Sequence, residues 1–199
     1  MSFFCRLYVV VLLVAISSSV YSKSSVIGSV QTFLNGIKSM TALLVQIDGN
    51  LAKTAEFYLL RTNGGQLICV KYISGSYQSI LVHNGVASIF DNKTKKKYDF
   101  QISQTPIFSV LSGKLDLTKE KYEILEDSRE LLRIKVIGSS VFGGVDVTLV
   151  FSKYEETGNI QKLVAWIIDD GTSEILVSLD PDSIRLNCEI QETVFTPPF

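Results

Sequence analysis

Turn-forming residues recur at short, irregular intervals along this chain and divide it into segments of strand length. After residue 41 they cluster seven times, at 48–50, 63–65, 84–85, 91–93, 143–144, 157–159 and 169–171. Asn-Gly and Asp-Gly pairs favour the tight turns that join antiparallel strands, because these residues tolerate a positive φ angle. We therefore predict eleven or twelve antiparallel strands between Leu43 and Ile190.

Between these turns, apolar and polar residues alternate with the period of two that a half-buried strand shows. In 131–136 and 145–152 every second residue is apolar, and most of the residues between them are polar. The strands show no repeat period of the kind that marks propeller blades or solenoid units. So many antiparallel strands in one chain predict a single strongly curved sheet or barrel.

One segment before the strands has helical spacing instead. The range 23–39, extended by Met40, carries an apolar residue every three or four positions, and Ser24 or Ser25 is suited to cap its first turn. We predict an amphipathic helix that packs its apolar stripe against the sheet. The stripe comprises Val26, Ile27, Val30, Phe33, Leu34, Ile37 and Met40.

A second segment, from Thr105 to Leu111, breaks the strand pattern in the middle of the chain. Pro106 suits the first turn of a helix, because the N–H that it lacks would find no helical partner there. Its apolar side chains Ile107, Phe108 and Leu111 suit a short lid helix over the mouth of a barrel.

Residues 1–22 have the pattern of a cleavable export signal. Arg6 precedes an uninterrupted apolar run of ten residues at 7–16, and the small residues Val20 and Ser22 suit cleavage after Ser22. A bilayer span takes about 20 apolar residues, so the run favours a signal peptide over the alternative, an uncleaved anchor. We expect an exported protein whose mature part, residues 23–199, forms one domain.

Charge and side-chain chemistry argue against several functional classes. The 19 basic and 20 acidic side chains leave a net charge of −1, without the basic excess that nucleic-acid binding requires. The single histidine, His83, lies beside a predicted turn, and the sequence contains no metal-ligand spacing and no nucleophile or phosphate-binding motif. We expect neither an enzyme nor a cofactor. With 46% apolar residues, the chain either has a large core or encloses an apolar space.

The strand at 55–61 ends its apolar face in a cation. Strand parity places Phe57, Leu59 and Arg61 on one face. A buried cation needs acceptors, because leaving one unpaired is prohibitively costly. Arg61 therefore either reaches solvent at the strand end or lies at the rim of an apolar cavity and donates to carbonyls of a covering helix.

Two cysteines, Cys69 and Cys188, remain after the predicted cleavage. In an oxidising compartment they could pair, and closing so long a loop would stabilise the fold by about 4–5 kcal/mol. The alternative is two separate buried thiols that pack as small apolar groups.

Five segments, in this order, resemble one known family, the periplasmic outer-membrane lipoprotein carriers (LolA-like). Each match is weak alone, but together they span nearly the whole predicted mature chain. They are FLNGIKSMTALLVQ at 33–46, AEFYLLR at 55–61, SILVHNG at 79–85, TPIFSVL at 105–111 and IQETVFTPPF at 190–199.

The resemblance implies a mainly β fold with few helices (α+β): a single open antiparallel β-barrel or half-barrel of about eleven strands, covered by an N-terminal helix and a short lid helix. The apolar interior would receive acyl chains. The expected ligand-binding residues are Val30, Phe33, Leu34, Ile37, Phe57, Leu59, Arg61, Ile80, Val82, Phe108 and Leu111.

The resemblance also implies a function in the periplasm of a Gram-negative bacterium. A monomeric chaperone would take acylated lipoproteins from an inner-membrane lipoprotein-releasing ABC transporter to the outer membrane, where a lipoprotein receptor is a further candidate partner. Each buried CH₂ contributes about 0.8 kcal/mol, so one long acyl chain amounts to roughly 10 kcal/mol, and release requires a movable cover. We hypothesise that Arg61 holds this cover when the protein is empty. The alternative is a LolA-like carrier or sensor of another lipid or hydrophobic molecule.

Overall fold

The computed structural model describes residues 26–63, 65–83, 85–101, 110, 116–138 and 145–199. The predicted signal peptide lies outside these ranges. So does the predicted lid segment at 105–111, apart from Val110, which is helical and buried.

Helix α1, of which residues 26–36 are described, precedes twelve strands in the described part of the chain, and a 3₁₀ helix, Glu192–Phe195, lies near the C-terminus. No helix in the described ranges is long and apolar enough to span a bilayer. The strands are β1 Ser39–Asp48, β2 Leu51–Thr62, β3 Gly65–Ser74, β4 Gln78–His83, β5 Val86–Asp91, β6 Lys96–Gln101, β7 Tyr122–Asp127, β8 Leu131–Val136, β9 Asp146–Lys153, β10 Ile160–Asp169, β11 Glu174–Leu179 and β12 Arg185–Leu186.

All these strands form one antiparallel sheet in the order β6-β5-β4-β3-β2-β1-β11-β10-β9-β8-β7. β11 and β12 pair with successive parts of the same edge of β1, β12 with its start and β11 with its remainder. The twelve strands therefore form a sheet that is eleven strands wide. Among the described residues no ladder joins the outer strands β6 and β7. The structure therefore confirms the predicted mainly β, open half-barrel with a covering N-terminal helix.

The predicted turns lie where strands meet. Gly49 joins β1 to β2 with a φ of 56°, and Gly171 joins β10 to β11 with a φ of 81°, a region that residues with a Cβ rarely adopt. Because each turn reverses the chain within a few residues, consecutive strands become neighbours. The turn predicted at 143–144 lies outside the described residues.

Helix α1 packs against one face of the sheet, called the inner face from here on. Its side chains Ile27, Val30 and Leu34 are buried there, and the ring of Phe33 meets that of Phe151 on β9 edge-on, with 5.9 Å between centroids. A fully buried large apolar side chain contributes about 1.5–3 kcal/mol. Tertiary packing of this kind, more than intrinsic propensity, therefore stabilises the helix.

The helical stripe predicted from the sequence extends too far, because α1 ends at residue 36 and both Ile37 and Met40 lie beyond it. Met40 belongs to β1, where it pairs with Leu59 on one side and Leu186 on the other. The chain leaves the helix before this point, since the backbone N–H of Lys38 donates to Asn187 Oδ1 at 2.7 Å. Met40 is fully buried on this strand. A helical position on the packed side of α1 would select an apolar residue as well, so the spacing of Met40 does not distinguish helix from strand.

The two cysteines in the described residues are separate free thiols. Cys69 is fully buried on the face of β3 that points away from α1, whereas Cys188 is half-buried near the C-terminus. Burial raises the pKa of the Cys69 thiol to about 11. Of the two arrangements left open by the sequence, the structure shows separate thiols without a disulfide between them, and only Cys69 of the two is fully buried.

Candidate functional site

The inner face is concave and apolar. Leu59 of β2 pairs with Met40 of β1 and Ile68 of β3, and all three side chains are buried on this face. The rings of Phe57 on β2 and Trp166 on β10 meet at 6.2 Å between centroids. Their strands are three positions apart, about 14 Å in a flat sheet, so contact between the rings requires strong curvature.

Helix α1 covers only part of this concave face. Toward the β6 edge, one row of inward residues runs across the sheet through Val70, Ile80, Ile89 and Tyr98, each paired with the next. The first three residues are half-buried, and Tyr98 is 48% exposed. Phe100, the next inward residue on β6, is 51% exposed. We call these five residues the apolar strip. It continues the packed core outward as a partly exposed apolar surface, a feature that often marks a binding site.

The residues predicted to bind ligand divide between core and strip. The apolar residues predicted on α1 and β2, together with Ile37 after the helix, belong to the packed core between helix and sheet, with Phe33 half-buried at its edge. Arg61 lies at the end of this core and is half-buried. Ile80 belongs to the apolar strip, and Val82 is buried beside it. Phe108 and Leu111 lie outside the described residues. The buried core residues from the prediction are Val30, Leu34, Ile37, Phe57 and Leu59.

The sequence-based prediction missed four members of the strip, Val70, Ile89, Tyr98 and Phe100. The strand register places all four on the same face as Ile80. Strand parity, combined with the register that the connecting turns impose, predicts this placement.

Arg61 joins the sheet to the end of the helix. Its Nη1 donates to the carbonyl oxygen of Leu34 at 2.8 Å, and its backbone N–H donates to the carbonyl of Lys38 at 2.8 Å. The last carbonyls of a helix carry partial negative charge and lack full helical partners, so a cation is stabilising there. Of the two arrangements left open by the sequence, the structure shows a rim arginine that bonds a covering helix. That helix is α1. The predicted lid segment lies outside the described residues, apart from Val110.

A buried amide lies opposite this arginine. Gln66 of β3 pairs with Arg61 across the ladder and is only 5% exposed. Neither Nε2 nor Oε1 of Gln66 has a hydrogen-bond partner among the described residues. Burying such a group without a partner costs about 1–3 kcal/mol, so its persistence points to a requirement other than stability.

Polar side chains also bound the inner face at the opposite end of β2. There the Tyr72 hydroxyl donates to Gln46 Oε1 at 2.6 Å, and the Lys53 ammonium lies 5.9 Å from the centroid of the Tyr72 ring. Burial raises the pKa of Tyr72. Lys53 and Arg61 are eight residues apart on one strand, about 26 Å, and the inward residues of β2 between them are all apolar. Along β2 the inner face is therefore apolar in the middle and bounded by polar groups at each end.

The C-terminal segment packs on the outer face of the sheet. The ring of Phe199 meets that of Phe90 at 5.5 Å between centroids, and Phe195 and Pro197 cover a groove of about 440 Å³ over β3–β6. His83 lines this groove. The C-terminal segment at 195–199 therefore packs against the outer face of the sheet, behind the apolar strip. In the ranges that are described, no three His, Cys, Asp or Glu side chains are grouped as a metal site.

Comparison with known proteins finds likeness of fold without likeness of sequence. No protein-family model matches the chain, and no protein with a curated description matches its sequence. An uncharacterized conserved protein from Thermus thermophilus is 10% identical with a TM-score of 0.56, over 89% of this chain and 94% of that one. A chain of the MucA/MucB complex from Pseudomonas aeruginosa is 11% identical with a TM-score of 0.52, over 88% of this chain and 61% of that one.

LprF from Mycobacterium bovis is 9% identical with a TM-score of 0.49, over 84% of this chain and 93% of that one. At such identities only the fold is shared, and the two structures with the higher TM-scores carry that conclusion. The fold that the resemblance implied, one open antiparallel sheet that wraps a helix, is thus confirmed, and these two structures share it.

Proposed function

We propose that this protein binds acyl chains on the inner face of its open sheet and carries acylated lipoproteins through the periplasm of a Gram-negative bacterium. The observation that carries this proposal is the apolar strip, which extends the core from beneath α1 to the β6 edge and remains partly exposed. An acyl chain laid on such a surface gains about 0.8 kcal/mol for each CH₂ that it buries. The strip offers hydrocarbon contact without any catalytic group, as a carrier requires.

Reversible release depends on how the cover is held. The bond from Arg61 to the Leu34 carbonyl contributes about 1.5–3 kcal/mol, as hydrogen bonds to charged groups do. A long acyl chain contributes roughly 10 kcal/mol. Entering cargo therefore has enough binding free energy to displace the end of α1, and the bond re-forms when the cargo leaves.

The route belongs to the same proposal. The export signal at residues 1–22 directs the chain to the periplasm, where an inner-membrane lipoprotein-releasing ABC transporter loads it as a monomer. It delivers its cargo to the outer membrane, to a lipoprotein receptor where one exists. The protein works without a cofactor and catalyses no reaction.

The test is to purify the protein from the periplasm and identify by mass spectrometry what co-purifies with it. Acylated lipoproteins, bound and then transferred to acceptor vesicles, are the expected result. A protein that carries nothing and takes up no acylated peptide would overturn the proposal.

A second candidate function is a carrier or sensor of another lipid. The fold also matches a chain from a complex of two different proteins, MucA and MucB, and a sensor would likewise act through a protein partner. Free lipid in the mass spectrum, with no lipoprotein, would favour this alternative.

A further inference from the structure

Gln66 stands out among the buried polar side chains. Only two residues in the described ranges combine a polar side chain with burial, Ser39 and Gln66. Ser39 is satisfied, since its Oγ donates to the carbonyl of Cys188 at 2.5 Å. Both polar atoms of Gln66 lack a partner among the described residues. Unpaired amides of this kind are rare in folded proteins, so the group is available to a ligand.

The position of Gln66 relates it to the apolar strip. On β3 the next inward residue is Ile68, about 7 Å along the strand. Ile68 starts a row that continues through Val82 and Ala87 to Phe100, each paired with the next across β3–β6. The first three residues of this row are buried and Phe100 is 51% exposed. An apolar chain that enters at Phe100 and displaces the groups covering the row therefore has one end beside the Gln66 amide.

The amide also lies beside the contact that holds the cover. Gln66 pairs directly with Arg61, whose Nη1 donates to the Leu34 carbonyl at 2.8 Å. A ligand group that reaches Gln66 therefore arrives next to the bond that anchors the end of α1. Gln66, which would bind a polar group of the ligand, is therefore adjacent to Arg61, which anchors the end of α1.

We propose that Gln66 recognises the carbonyl group that links an acyl chain to its parent molecule. This inference depends on the proposed function, because it needs an acyl chain on the inner face. The Gln66 Nε2–H donates to the carbonyl oxygen, and Oε1 accepts from a hydroxyl or N–H of the same head group. Acylated proteins and free glycerolipids both have this chemistry. A plain hydrocarbon lacks it and leaves the amide unpaired.

The test uses two probes of equal chain length, methyl palmitate, which has an ester carbonyl, and octadecane, which has none. Each probe competes with bound N-phenylnaphthylamine on the purified wild-type protein and on Gln66→Leu. Loss of one hydrogen bond weakens the binding of methyl palmitate to Gln66→Leu by roughly threefold to tenfold. Octadecane binds Gln66→Leu at least as tightly as it binds wild type. The matched control is Gln161→Leu, since Gln161 is half-buried on β10 and accepts from Ser152 Oγ at 3.5 Å.

A spectroscopic measurement reports the contact itself. Hydrogen bonding weakens a carbonyl bond, so the C=O stretching frequency of bound methyl palmitate is lower in wild type than in Gln66→Leu. A purely structural effect of the substitution would leave this frequency unchanged. Dipalmitoylglycerol and a dipalmitoylated cysteinyl peptide then distinguish the two sources of the carbonyl, because the natural cargo is the one that loses more affinity.

The outcomes separate the two proposals. Loss of methyl palmitate affinity in Gln66→Leu alone, with the frequency shift, supports carbonyl recognition. If both probes bind but Gln66→Leu changes neither the affinities nor the frequency, Gln66 does not read the carbonyl and the acyl-chain proposal stands. If neither probe binds wild type, the acyl-chain proposal fails and the inference fails with it.

Discussion

Arg61 Nη1 donates a hydrogen bond to the carbonyl oxygen of Leu34 at 2.8 Å, and this bond joins β2 to the last turn of α1. Burial lowers the pKa of the Arg61 guanidinium, but an arginine remains charged at any ordinary pH. The bond is therefore charge-assisted at all times and does not switch with pH. Only a competing ligand or a movement of the helix breaks it.

Replacing Arg61 tests whether cargo displaces this bond. In Arg61→Leu the bond no longer opposes cargo entry, so we expect cargo to be retained roughly tenfold to a hundredfold longer and passed on more slowly. The free energy of unfolding should fall by no more than about 3 kcal/mol, since leucine suits the apolar face. Transfer of an acylated peptide from the loaded protein to acceptor vesicles measures the rate.

The control for Arg61 is Arg129→Leu. Arg129 Nε also donates to a backbone carbonyl, that of Glu155, at 3.0 Å, but on an exposed turn. The Arg129→Leu variant should transfer cargo at the wild-type rate. Equal rates in wild type and Arg61→Leu would rule out the proposed function of the bond.

The apolar strip is tested with a pair of tyrosines. Tyr98 on the strip is 48% exposed, and Tyr154 in the turn after β9 is 51% exposed. We expect Tyr98→Asp to weaken binding of N-phenylnaphthylamine by tenfold or more, because a carboxylate does not leave water for an apolar contact. Tyr154→Asp should bind the dye as wild type does. The strip is not the binding surface if both variants bind equally well in a fluorescence titration.

Leu59 and Ile80 test the division between core and strip. Leu59 is fully buried beneath α1, so Leu59→Ala should lower the free energy of unfolding by about 2–5 kcal/mol. Ile80 is only half-buried, and Ile80→Ala should cost less than this range. Urea unfolding, followed by the fluorescence of the single tryptophan, Trp166, measures both. Equal losses would mean that the strip is packed as tightly as the core.

The turn between β10 and β11 predicts an acid-dependent stability. Hydrogen bonds from the Thr172 hydroxyl and from the backbone N–H groups of Thr172 and Ser173 lower the pKa of Asp170 from 3.8 to about 2. A folded-state pKa below the unfolded value means that the carboxylate stabilises the fold above about pH 4, and that this contribution disappears as the pH falls toward 2.

Asp170→Asn, which resembles the protonated carboxyl, should therefore unfold at lower urea concentration than wild type at pH 7. The difference should shrink as the pH falls from 4 to 2. Midpoints of urea unfolding over this range make the comparison. A difference that does not depend on pH would show that the carboxylate charge is unimportant in this turn.

Local patterns predicted the strands and their faces because those depend on neighbouring residues. A turn such as that at Gly171 reverses the chain, and alternation fixes which side chains share a face. The face of Ile80, Ile89 and Tyr98 was therefore accessible from sequence, although only Ile80 was recognised. The helix boundary at Met40 was not, because a buried helical position and a buried strand position both select an apolar residue.

The sequence by itself determined the number of strands, the helix that precedes them and the inward placement of Arg61, since each follows from the spacing of residues along the chain. Only the tertiary structure decided which inward residues pack beneath α1 and which remain partly exposed on the strip. It also decided that Arg61 bonds the Leu34 carbonyl and that Gln66 lies buried beside it. These facts depend on how far a short helix extends over a curved sheet, and that distance is set by contacts between residues far apart in the chain.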